Sequence, residues 1–261
     1  IINSGSVMET ASWRDRVDAI LVAWQPGIEG GNSVADILTG KVNPSGKLTM
    51  TWPIAATDHP STANFAKEYD MYTYKNMEGW GKGNIPGVDF SNHEEDIYVG
   101  YRYFDTFKKD VAYPFGFGLS YTTFEMGKPS VKANGKNIEV SVTVKNTGKV
   151  AGKQVAQVYV TAPKGAYEKP AKELKAFGKT RELKPGESQT LKMTLEKRDL
   201  ASFDEANSQW KVDAGNYLFQ VGTDVESIKG TATLKVAEYT EKTSNACAPN
   251  VQLNYLKQKK L

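Results

Sequence analysis

The stretch VDAILVAW (17–24) constrains the fold more than any other part of this chain. It is a short, continuous apolar run with β-branched residues, bounded by charge before it and by Pro26 and Gly27 after it. Unbroken apolarity suggests a strand buried on both faces, as in a parallel sheet lying under helices. QPGIEGGNSVADILTGKVNPSGK follows. Asn32 there can cap a helix whose apolar positions Val34, Ile37 and Leu38 fall at i, i+3 and i+4, and Gly40 can close it. KLTMTWP then reads as a second short strand stopped by Pro53. Strand, helix, strand is a βαβ unit, and one such unit cannot cover its own apolar faces. The expectation is therefore the last portion of an α/β sheet whose other strands lie elsewhere. The opening IINSGS, which reads as the inside of a strand, agrees with a piece of a longer protein.

From about residue 125 the period changes to two. Ile138, Val140, Val142 and Val144 alternate with Glu139, Ser141 and Thr143. Leu191, Met193 and Leu195 repeat the pattern, as do Tyr217, Phe219 and Val221. Turn signals separate the runs: Asn134-Gly135, Asn146-Thr147-Gly148, Lys184-Pro185-Gly186 and Asp213-Ala214-Gly215. About seven short strands over roughly 110 residues describe an immunoglobulin-type β-sandwich. A lone cysteine rules out the Cys…Trp…Cys framework, so a fibronectin type III-like variant is preferred. The fold class is thus α/β followed by all-β, divided as 1–125, 126–240 and a tail 241–261. Within the tail, Val251, Leu253, Tyr255 and Leu256 give a pattern compatible with docking back or hanging free.

Bulk composition excludes several functions. A net charge of +3, with its 33 Lys and Arg scattered, does not argue for nucleic acid. Cys247 alone builds no internal disulfide or cysteine-rich zinc site, and two histidines, His59 and His93, make a His-rich metal site an unlikely design. No run reaches ~18 apolar residues, so no membrane-spanning helix is expected. The glycines of PGIEGG are not followed by Lys-Ser or Lys-Thr, which counts against a phosphate loop, while Glu29 sits where a helix dipole favours a carboxylate.

Two places carry candidate chemistry. The aperiodic stretch 54–95 holds Tyr69, Tyr72, Tyr74 and Trp80. Flat rings with polar tips suit the C–H faces of sugars, and the same rings also serve to pin a loop to its own domain. The segment NHEEDIYVGYRYF (92–104) begins with Glu94, Glu95 and Asp96. On an extended chain, neighbouring carboxylates point to opposite faces, so Glu94 and Glu95 do not form an opposed pair. One of them can contact a sugar hydroxyl, or satisfy Arg102 or nearby backbone donors. The aromatics Tyr98, Tyr101, Tyr103 and Phe104 read as a strand joining the two domains.

Taken together, INSGSVMETASW (2–13), VDAILVAWQPGIEGGNSVADILTGKVNPSGKLTMTWP (17–53), EEDIYVGYRYFDTF (94–107) and YPFGFGLSYTTFE (113–125) resemble the C-terminal part of glycoside hydrolase family 3, the β-glucosidase and β-xylosidase family. VTVKNTGKVAGKQVAQVYV (142–160), ELKAFGKTRELKPGES (173–188) and RDLASFD (198–204) extend the resemblance through the sandwich in the family's order. It implies a (β/α)8-barrel N-terminal to this part as its partner, a β-glucoside or oligosaccharide substrate, retaining exo-acting hydrolysis and no metal or other cofactor. It also fits a periplasmic or extracellular setting. The family's aspartate nucleophile lies on the barrel, and its acid/base glutamate precedes the strand corresponding to Ile1–Ser4. Neither motif has a counterpart here, so no catalytic residue is assigned. Trp80 and Glu94 remain as substrate-binding candidates. The rival reading is a non-catalytic carbohydrate- or protein-binding module built on the sandwich.

Overall fold

The computed structural model describes residues 1–63, 93–249 and 252–258. In the first part, Ile2 and Leu21–Ala23 run parallel, Ile2 N–H donating to Leu21 O (2.8 Å) and Ala23 N–H to Ile2 O (2.9 Å). Among the described residues this is a single bridge and not the full strand expected over 17–24, because one short pairing without further neighbours there does not propagate a ladder. Helix α1 spans Gly30–Leu38. Glu29, not Asn32, occupies the cap position, and Asn32 sits inside the first turn, donating its amide to Glu29 Oε2 (2.5 Å). Gly40 adopts φ +73°, the left-handed conformation expected where a helix is closed.

The second expected strand is also reassigned. β1 covers only Trp52–Pro53 and pairs antiparallel with β2 (Val111–Tyr113). The pairing continues irregularly through Leu48 N–H to Phe117 O (2.8 Å) and Gly116 N–H to Leu48 O (2.9 Å). Residues 48–53 therefore run beside 111–117, not as the parallel mate of 17–24. Pro53 lies within the pairing, tolerated at an edge where its missing N–H is not needed. Ile2, Trp52 and Ala112 form the small core here, with Trp24 edge-on to Trp52 at 6.2 Å.

The segment read as a strand after Asp96 is helical. Glu94–Ile97 form a turn, and α2 spans Tyr101–Thr106. Gly100, at φ +56° and ψ −130°, breaks the extended path just before the helix. Once the chain coils, Tyr101 and Phe104 fall three residues apart and share a face. Packing thus overrides the strand preference of the aromatics.

Eleven further strands follow: β3 (Phe124–Met126), β4 (Ser130–Asn134), β5 (Asn137–Asn146), β6 (Val155–Thr161), β7 (Glu173–Lys179), β8 (Ser188–Glu196), β9 (Ser202–Asp204), β10 (Gln209–Val212), β11 (Gly215–Gly222), β12 (Ile228–Val236) and β13 (Tyr239–Lys242). In one sheet β5 pairs with β8 on one side and with β3 and β4, end to end, on the other. The facing sheet has the order β12-β11-β6-β7. The two facing sheets hold eight strands against the seven or so expected, and a small third sheet, β13-β10-β9, adds three more. Alternation predicted the inward residues: Ile138, Val140, Val142, Val144, Leu191, Met193, Leu195, Phe219 and Val221 are all buried in the shared core. Tyr217, near the start of β11, is fully buried and donates its hydroxyl to Asp213 O (3.0 Å), the tyrosine-corner arrangement of such sandwiches. Burial and the nearby Asp213 push this phenol up to about 12.

Candidate functional site

The stretch from His93 to Phe107 carries the candidate carboxylates and also fastens the first part to the sandwich. Its two glutamates have different environments. Glu95 is buried, with Oε1 3.0 Å from His93 Nδ1 and Oε2 buried without a hydrogen-bond partner among the described residues. Glu94 is partly exposed, and its Oε1 accepts the backbone N–H of Asn254 (3.3 Å) while its carbonyl accepts Leu256 N–H (2.7 Å). The turn replaces the extended geometry expected for this pair. The expected partnership with Arg102 is also replaced: Arg102 Nη2 lies 3.0 Å from Glu173 Oε1 on β7.

Asp96 follows in the left-handed conformation, φ +52°. Although Asp96 is exposed, partial desolvation raises its pKa, and the nearby carboxylates of Glu205 and Glu168 add to the effect. Tyr98 is fully buried and donates to Glu168 Oε2 (2.9 Å). Its phenol is pushed up to about 12, first by burial and then by that hydrogen bond. The local field is therefore acidic, suited to accepting hydrogen bonds from hydroxyl groups.

Helix α2 clamps this turn onto the sandwich. Tyr101 stacks on Phe115 at 4.5 Å, meets Tyr159 edge-on at 6.1 Å, and accepts Leu174 N–H on its hydroxyl (2.8 Å). Asp105 Oδ1 pairs with Lys172 Nζ (3.1 Å), and Thr106 Oγ1 accepts Ala171 N–H (2.9 Å). The following PFGFG segment docks on the same sheet face. Gln157 of β6 donates to Gly116 O (3.1 Å) and Thr223 O (2.6 Å) and accepts from the Tyr159 hydroxyl (2.5 Å). Gly116, at φ +85°, passes so close that a Cβ would collide with the Gln157 carboxamide. The reading of the aromatics as a joint between the two parts holds for Tyr98, just before α2, and for Tyr101 on it, whereas Phe104 packs on His59 and Tyr103 on Phe104 and Phe107, and the element is a helix and not a strand.

Trp80 and the loop tyrosines Tyr69, Tyr72 and Tyr74 lie outside the described residues. A groove of about 460 Å³ between β7 and β8 is lined by Leu174, Lys175, Phe177, Gly178, Lys192 and Met193 among others, without a carboxylate. It offers no carboxylate pair of the kind that glycoside hydrolysis uses. Sequence reasoning missed His93 as the partner of Glu95 and the tail as the partner of Glu94. The first was detectable as a histidine two residues from a carboxylate; the second is made through backbone donors and leaves no side-chain signature.

Residues 1–121 match the glycosyl hydrolase family 3 C-terminal domain, and residues 154–225 match a fibronectin type III-like domain. Residues 1–121 belong to glycoside hydrolase family 3. Over 238 residues it is 40% identical to a β-glucosidase of Kluyveromyces marxianus, an alignment covering 90% of this chain and 26% of that protein. It is 42% identical over 253 residues to β-glucosidase A of Butyrivibrio fibrisolvens, covering 88% of this chain and 28% of the relative. Among solved structures, β-glucosidase 3B from Thermotoga neapolitana in complex with glucose aligns with a TM-score of 0.79 at 46% identity, covering 92% of this chain and 31% of that one. The chain thus spans less than a third of the length of these relatives.

Proposed function

We propose that this chain forms the C-terminal part of a retaining, exo-acting β-glucosidase-like glycoside hydrolase that cleaves β-linked glucosides or oligosaccharides. The observation that carries the reading is alignment with β-glucosidases over nine-tenths of this chain at 40% identity. The apolar surface supports it. Ile1, Met8, Val17, Ile28, Leu38 and Val42, all in the first part, are large apolar side chains exposed by 43% or more. Several such side chains within one small region fit a surface that packs against further protein. In this reading the N-terminal (β/α)8-barrel part of the same enzyme covers them and supplies the aspartate nucleophile, with the acid/base glutamate also outside residues 1–261.

Hydrolysis would run by double displacement, through a glycosyl-aspartate that water then opens. Residues 1–125 would form a wall of the sugar site, with Glu94 accepting a hydroxyl proton and Trp80 presenting a flat ring. Residues 126–240 would act as the supporting sandwich and 241–261 as the tail. The test is an assay on a chromogenic β-glucoside with the chain alone and with the barrel part supplied. No turnover alone and turnover when combined is the expected result. Hydrolysis by the isolated chain would overturn the assignment of the catalytic pair to the other part.

A further inference from the structure

The C-terminal residues 252–258 lie across the joint between the two parts. Their backbone donors at alternate positions all face inward: Asn254 N–H to Glu94 Oε1 (3.3 Å), Leu256 N–H to Glu94 O (2.7 Å) and Gln258 N–H to Glu168 Oε2 (3.4 Å). A spacing of two places the N–H groups of an extended chain on one side, so the segment binds as a one-sided strand does. The Gln258 side chain adds a bond to Lys169 O (3.0 Å). Within the segment, Leu253, Tyr255 and Leu256 are half-buried.

The acceptors belong to two different places in the fold. Glu94 is on the turn before α2, whereas Glu168 and Lys169 are on the loop between β6 and β7. Glu168 Oε2 also accepts the hydroxyl of the buried Tyr98, so both ends of the segment connect to the same turn. We infer that residues 252–258 are a clasp: they fasten the Glu94–Ile97 turn to the sandwich loop and fix the orientation of the Glu94 carboxylate. The side-chain bonds are exposed and Leu253, Tyr255 and Leu256 are no more than half-buried, which places the clasp among elements that open locally without global unfolding. The clasp is therefore a releasable control on the turn. This inference stands on the contacts alone and does not need the turn to face a sugar.

Hydrogen exchange on the 261-residue chain tests it, compared with a chain ending at residue 249 and with Leu256→Pro. The proline keeps the tail but removes the donor to Glu94 O. Truncation should speed exchange of the amides at 94–99 by about tenfold or more while β5 and β11 keep their protection. Leu256→Pro should act in the same direction by a smaller factor, and it carries the test alone should the shortened chain fail to fold. Unchanged exchange at 94–99, or equal loss of protection in β5 and β11, would overturn the clasp.

Discussion

The hydroxyl of Tyr101 accepts the backbone N–H of Leu174 at 2.8 Å, joining α2 to the first residues of β7 across 73 positions of sequence. Removing this oxygen leaves a part-buried donor without its partner. Tyr101→Phe should cost about 1–2 kcal/mol, read as a lower denaturant midpoint with an unchanged slope. Because the ring still stacks on Phe115, a loss above that range would mean the packing had failed too.

The Asp105–Lys172 pair is more sensitive. Both side chains are nearly buried, at 10% and 13% exposure, and Asp105 Oδ2 has no hydrogen-bond partner among the described residues. Lys172→Met leaves the Asp105 carboxylate with only the exposed and more distant Lys108, 3.8 Å away, and should destabilise by about 3 kcal/mol, and combining it with Asp105→Asn should restore part of that. A double-mutant cycle in urea measures the recovery.

Gly116→Ala tests the docking of the PFGFG segment. At φ +85°, with the Gln157 carboxamide in the way, an alanine must distort either its own backbone or that hydrogen-bond cluster. A loss of about 2 kcal/mol or more is expected. Gly31→Ala, where a Cβ meets nothing within 4 Å, should not destabilise and serves as the control.

Asp204 links stability to pH. Asn207 donates to its carboxylate, with Gln209 and Tyr167 adding hydrogen bonds, and together they hold its pKa at about 2. An unfolded aspartate titrates near ~3.9, so the folded state binds this proton less readily. The stabilisation is present above about pH 4 and is lost as pH falls through the folded value near 2. Thermal midpoints of Asp204→Asn should therefore fall less steeply than wild type over that window, starting lower at pH 6.

In the complete enzyme, Glu94→Gln and Trp80→Ala should raise KM for an aryl β-glucoside by about tenfold, with kcat changing less than about threefold. Equal loss of kcat and kcat/KM would instead place either residue in the chemical step. No change in either constant would remove both from the substrate wall.

The β-sandwich was legible because its strands have one wet face: β5 alternates residue by residue, and its four apolar positions are all buried. The first part was less legible. Continuous apolarity at 17–24 indicated burial on two faces, yet the described chain gives that run one parallel bridge, since its pattern reports neighbours and not their identity. Tyr101 to Phe104 read as a strand because aromatic rings favour pleated surfaces, and the break at Gly100 was the signal against it. At the candidate site, Glu94 was visible as a residue type, but its contact with Asn254 spans 160 positions and uses the main chain of the tail, where composition leaves no trace.

The face of β6 turned toward α2 sets a limit on any dissection of this molecule. Tyr159 is fully buried, under Tyr101 on one side and hydrogen-bonded to Gln157 on the other. Cutting the polypeptide between these neighbours would expose two rings to water and leave amide groups unmatched on both products. Anyone hoping to borrow the sandwich as a detachable solubility tag, or to graft the preceding part onto another scaffold, inherits that wet seam and must redesign it first.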